Sequence, residues 1–126
     1  VDMVNFGPPE SMPNYLSGRT TYRHTPMTTL VRTNPDETAK IAHQTAVRLN
    51  QSIGPVAVFW PAQGVSDYDR PGKPFHDPMA NVSWRDTMKQ TLRADIPVVE
   101  TDFHINDPEF GALCADWMIT QLNEPI

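Results

Sequence analysis

The sequence predicts an α/β fold, a three-layer Rossmann-like domain with a mostly parallel sheet, and three observations predict it. Short runs rich in β-branched and aromatic residues alternate with longer segments of helical periodicity. The run Val56-Ala57-Val58-Phe59-Trp60 is apolar throughout, as a parallel strand covered on both faces requires. Each such run leads into a helix-start signal instead of a tight hairpin turn.

Taken in order, residues 1–6 form a first candidate strand and residues 20–24 a second, ahead of a helix over about 35 to 50. That helix begins at Asn34-Pro35, a capping side chain followed by the one residue whose missing N–H costs nothing at the first helical position. Glu37 then completes a capping-box-like arrangement, and Ile41, Ala42, Thr45, Ala46 and Leu49 recur at three- and four-residue spacing, so one face packs inward. The strand at 56–60 follows. Asp77-Pro78 opens a second helix with a weaker stripe of Trp84, Met88, Thr91 and Leu92. A strand at 98–103 leads to Asp107-Pro108 and a third helix, whose stripe of Phe110, Leu113, Cys114, Trp117, Met118 and Leu122 is the cleanest in the chain.

The 126 residues suffice for a single α/β domain over residues 1–126 and one modest core. Because no strand precedes residue 1 to pair with the first run, the expectation is a piece of a larger protein, whose missing domain is one expected partner. Ten Lys and Arg against 15 Asp and Glu give a net charge of −5, and the cations are scattered, which argues against a nucleic-acid groove. No apolar run approaches the ~20 residues of a membrane-crossing helix, and no stretch reads as a signal peptide. One cysteine, Cys114, excludes an internal disulfide framework and is most simply read as a sign of a reducing, cytoplasmic setting. The 13 prolines accompany three Trp, five Phe and three Tyr, so they punctuate a folded chain.

In a parallel α/β sheet the loops that leave strand ends for helix starts share one edge, and ligands bind in the crevice there. Those loops hold Asn5, His24, Arg32, Gln63, Gly64, Ser66, Asp67, Asp69, Lys73, His76, Asp77, His104, Asn106 and Asp107, including three of the four histidines. His76-Asp77 and His104 with Asp107 each set an imidazole beside a helix N-terminus, where exposed N–H groups favour a phosphate or carboxylate. The remaining histidine, His43, reads as a helix-surface residue. The loops over 7–19 and 62–76 are long for connections in a compact domain, as binding elements often are.

Other chemistries find less support. The separations of His24, His76 and His104 match no short metal motif, so no metal is expected. Gly64-Val65-Ser66-Asp67-Tyr68 begins like a nucleophile elbow, but Tyr68 stands where a second glycine belongs. Gly72-Lys73 is followed by Pro74 and lacks the upstream glycine of a P-loop. Cys114, on an apolar stripe, reads as a packed thiol.

Three stretches carry a family likeness: Asp2-Met3-Val4-Asn5-Phe6-Gly7-Pro8; Gly64-Val65-Ser66 leading to Arg70-Pro71-Gly72-Lys73-Pro74-Phe75-His76-Asp77-Pro78; and Asp102-Phe103-His104-Ile105-Asn106-Asp107-Pro108. Together they resemble the C-terminal domain of the Tm-1-like ATP-binding family, which is largely uncharacterised. His24-Thr25-Pro26 and Thr29-Leu30-Val31-Arg32-Thr33 are similar to it as well, with Thr25 in place of the family's common Asn. The resemblance implies a two-domain α/β protein in which the nucleotide-binding segment, and with it any ATP and Mg²⁺, lies largely in the first domain.

Three functions are therefore expected in order. The first is a module that binds a small anionic or nucleotide-like compound at the strand C-terminal edge, with self-association into a homo-oligomer. The second is an enzyme of hydrolase or lyase type, in which His76 or His104 is the general base, Asp77, Asp107 or Asp69 orients it, and Arg32 or Lys73 holds the substrate. The third is a structural or protein-interaction domain, which a 64–76 loop folded onto the His24 and His104 loops would disfavour.

Overall fold

In a computed structural model that describes residues 1–123, the elements run β1 (Met3–Phe6), two single-turn 3₁₀ helices (Pro9–Ser11 and Asn14–Leu16), β2 (Thr21–Thr25), β3 (Thr28–Arg32), α1 (Pro35–Leu49), β4 (Val58–Pro61), α2 (Pro78–Thr91), β5 (Val98–Thr101) and α3 (Pro108–Asn123). The α/β character and the three helices are as expected. The mostly parallel sheet is not. β4 and β5 pair in parallel as a two-stranded sheet, whereas β1, β3 and β2 form a separate antiparallel sheet with β3 in the middle.

The correction has a local cause. Thr28–Arg32 is a strand that the sequence analysis left in a loop, and it follows β2 after only Pro26 and Met27. So short a connection forces an antiparallel hairpin, because a parallel partner needs a crossover of a dozen residues or more. Pro26 supplies no N–H to a ladder, which is why it sits in the turn. The hairpin closes through a register irregularity between Arg23 and Thr25.

The helices start where capping chemistry places them. Asn34 accepts from Glu37 N at 2.9 Å while the Glu37 carboxylate accepts from Asn34 N at 2.9 Å, a complete capping box ahead of Pro35. Asp77 accepts from Ala80 N at 3.0 Å ahead of Pro78. α1 packs along α2. Ala42, Ala46 and Met88 are fully buried there against Val58, and Leu49, Trp84, Leu92 and Val98 flank them. Small residues on α1 let the helices approach closely, and Met88 fills the space they leave. Trp60 of β4 stacks on Trp84 of α2 with ring centroids 5.5 Å apart.

α3 departs from expectation in its packing. Its periodic stripe is largely open: Phe110 is the one buried residue, Cys114 is half-buried, and Met118 and Leu122 are exposed. Phe59 meets Trp117 edge-on at 6.1 Å and Leu113 is half-buried, but Met118 and Leu122 find no cover among the described residues. No helix among them is long and apolar enough to cross a membrane.

Candidate functional site

The loop between β4 and α2 is held from every side. Arg32, at the end of β3, is 4% exposed and reaches across with Nε donating to Phe75 O at 2.9 Å and Nη2 donating to Asn81 Oδ1 at 2.8 Å. The same guanidinium lies 3.8 Å from Asp69 Oδ1, and Asp69 is wholly buried. A buried carboxylate survives only if its lone pairs are met. Those of Asp69 are met by Asn81 Nδ2 at 2.6 Å, Val65 N at 3.0 Å and Asp77 N at 3.4 Å. Arg32, Asp69 and Asn81 therefore join the antiparallel sheet, the loop and the first turn of α2.

Two histidines clasp the same loop. His24 Nδ1 lies 2.8 Å from Tyr68 Oη. His104 is 3% exposed, and its Nδ1 accepts from Asn106 N at 3.1 Å. That nitrogen must be unprotonated, so Nε2 carries the proton and donates to Ser66 O at 2.9 Å. Asn106 Nδ2 donates to Asp67 Oδ1 at 2.9 Å, and Ser66 Oγ donates to Asp2 Oδ2 at 2.5 Å. Asp107 Oδ2 accepts from His104 N at 2.7 Å, bracing the turn into α3. Asp67 is fully exposed, and the bonds from Arg70 and then Asn106 hold its carboxyl below the ordinary value.

Gly64 allows this closure. Its φ is +129°, and a Cβ there would lie 2.0 Å from Asp69 O and 2.8 Å from His104 Cδ2. Only glycine permits the chain to pass between the buried carboxylate's backbone and the imidazole.

What the loop leaves open is a small cleft of about 130 Å³ at the end of β4 and the start of α2, lined by Gln63, Gly64, Asp69, His76, Pro78 and Asn81 among others. Larger hollows lie elsewhere, of about 360 Å³ beside the 3₁₀ turns, about 390 Å³ between β4, α2 and α3, and about 240 and 190 Å³ around Arg93 and Ile96. The smaller cleft holds the convergent polar groups, which fix a ligand's orientation where volume alone does not. In it the His76 ring is about a third exposed, with Nδ1 3.8 Å from Asp69 Oδ1.

The expected site residues thus divide. Gly64, Ser66, His76, Asp77, His104, Asn106, Asp107, His24 and Arg32 all belong to the loop assembly. Within it Arg32, His104, Asp107 and Ser66 are occupied by internal bonds, and Asp77 caps α2. Asn5 is exposed on β1, and Lys73 is exposed in the turn after Arg70, where its backbone N donates to Arg70 O at 2.9 Å; neither lines the cleft. Asn81, Asp2 and Tyr68 escaped the sequence analysis. Asn81 alone carried a signal, since it lies four residues past the Asp77 cap and so on the same side of α2's first turn. Among the described residues no three His, Cys, Asp or Glu side chains cluster so as to hold a metal ion.

Comparison with known proteins supplies the family. Residues 1–122 match the family described as the C-terminal domain of an uncharacterised protein family, UPF0261. A UPF0261 protein of Rhizobium meliloti (strain 1021) is 42% identical over 113 residues, covering 88% of this chain and 28% of its own length. One of Clostridium tetani (strain Massachusetts / E88) is 34% identical over 125 residues, covering 98% of this chain and 31% of its own length. The ToMV resistance protein Tm-1(GCR237) of Solanum lycopersicum is 36% identical over 120 residues, covering 92% of this chain and 16% of that protein. The chain spans less than a third of the length of these relatives.

Proposed function

The chain belongs to the uncharacterised family UPF0261, matching its C-terminal domain, and from that premise we propose that it is a ligand-binding α/β module taking a small anionic or nucleotide-like compound in the cleft between β4 and α2. One observation carries this reading: the 62–77 loop is fastened to His24, which lies in β2 and not in a loop as expected, and to the His104 loop, leaving His76 with its ring open to the cleft. The buried Arg32, Asp69 and Asn81 network fixes the loop behind this one exposed imidazole. The start of α2 adds its positive dipole end, and the Asp69 charge that would repel an anion is offset by Arg32.

The module works within a longer protein, cytoplasmic and self-associating, whose remaining part closes over the cleft. Any ATP and Mg²⁺ belong to that remaining part. Gly72 and Lys73, the nearest to a phosphate-loop motif, sit in an exposed turn in which Lys73 N donates to Arg70 O.

Isothermal calorimetry on the full-length protein tests the reading with inorganic phosphate, nucleotides, sugar phosphates and acyl phosphates. At least one phosphate-bearing compound is expected to bind. His76→Ala is expected to weaken it about tenfold or more, the worth of one charge-assisted hydrogen bond. Heat from none of them overturns the reading.

A second reading, an enzyme of hydrolase or lyase type, is favoured by the position of His76 Nδ1, 3.8 Å from the buried Asp69 Oδ1, where a carboxylate stands behind the imidazole without a direct hydrogen bond to it. His104 is unsuited to that role because both of its ring nitrogens are engaged. Turnover of a bound phosphate ester, lost by roughly 10²–10⁴ in His76→Ala and retained in a variant at exposed His43, is the expected pattern.

A further inference from the structure

We infer that the free edge of β4 receives a further β-strand, contributed by the part of the longer polypeptide that lies outside residues 1–126. The backbone sets the geometry. Val58 N donates to Pro97 O at 2.9 Å and Ala62 N donates to Thr101 O at 3.1 Å, so the even-numbered residues of β4 face β5. Phe59, one residue out of phase, turns its N–H and C=O to the opposite edge, where no described strand pairs.

The side chains along that edge form an apolar groove of about 390 Å³, lined by Phe59, Trp60, Val65, Trp84, Phe110 and Cys114 among others. Phe59 and Trp60 point to opposite faces of the strand, so the groove wraps the edge from the α2 side to the α3 side, as the space for an added strand does. Trp84, which lines it, has a buried indole N–H with no acceptor among the described residues. An unmet buried donor is costly, and a backbone carbonyl arriving in the groove is the class of group that satisfies it.

The far edge of the same sheet is marked differently. Glu100 on β5 pairs with Lys89 at 2.6 Å and with Arg85 at 3.5 Å, and charges of this kind keep an edge strand in water. The groove along the β4 edge is lined by no charged side chain, and because Pro61 on the same edge has no N–H and its carbonyl accepts from Gly64 N, the pairing groups of β4 there are those of Phe59. The relatives provide the occupant's source, because about two-thirds or more of each lies outside the matched region. The inference depends on that longer chain and not on the anion cleft, so either can fail alone.

Two measurements on the full-length protein test it. Residue-resolved hydrogen exchange should show the Phe59 amide protected to within about tenfold of the Trp60 amide; a Phe59 amide exchanging freely while Trp60 stays protected overturns the inference. A photoreactive reagent attached to Cys114, in a mixture of ¹⁴N- and ¹⁵N-labelled protein, should capture a peptide outside residues 1–126 from the same polypeptide. Capture from the other isotopic copy alone, or of no peptide at all, overturns it as well.

Discussion

Gly64 and Arg32 hold the loop assembly together by different physics. At Gly64 a positive φ coincides with a backbone approach that leaves no room for a methyl group. Gly64→Ala should therefore cost on the order of 3 kcal/mol, seen as a lower midpoint in denaturant unfolding, while Gly72→Ala, whose Cβ meets nothing within 4 Å, should cost clearly less. Arg32 matters through what its loss exposes. Arg32→Met leaves Asp69 buried without its cation and should destabilise by about 3–5 kcal/mol, whereas the double change Arg32→Met with Asp69→Asn should recover a large part of that loss. Unfolding curves of the two variants beside the unaltered chain decide it, and a double variant no better than the single would refute the electrostatic account.

At the scale of elements, α1 is set by its N-terminal turn. Arg19 Nη2 donates to Glu37 Oε2 at 2.6 Å and to Arg32 O at 2.7 Å, tying the end of the first long loop to the capping box. The bond from Arg19 holds the Glu37 carboxyl below its ordinary value of 4.5. Because the shift is downward, its contribution is fully present above that value and fades as pH falls through the lowered one. The pair is partly exposed, so the contribution is under about 1 kcal/mol. Acid unfolding below pH 4.5 should accordingly be less steep in Arg19→Met than in the unaltered chain. Asn34→Ala should cost about 1 kcal/mol by thermal unfolding at neutral pH. These starts were legible because capping is local: Asn34-Pro35, Asp77-Pro78 and Asp107-Pro108 each announce a helix within a few residues. Strand pairing was less so. The residues of β3 are β-branched enough to read as a strand, but nothing local to Pro26-Met27 shows that the chain turns back there as a hairpin. The α3 stripe was read correctly as periodic, yet periodicity does not say what covers it.

Across the whole molecule, Asp2, Arg32 and Asp69 connect the antiparallel sheet to the loop that caps the parallel one. That long-range convergence positions the cleft, and the sequence carried it only in part. It was visible that polar residues gather after the strands. It was not visible that His104 would be held by Ser66 O, 38 positions away, or that His76 would be backed by Asp69, because both depend on the path the loop takes around Gly64. The most direct measurement is a titration of full-length protein with inorganic phosphate, followed by the ring ¹⁵N signals of its histidines. The account predicts a saturable change at His76 with His43 unmoved. Signals from both rings that stay constant, or that drift together without saturation, would contradict it.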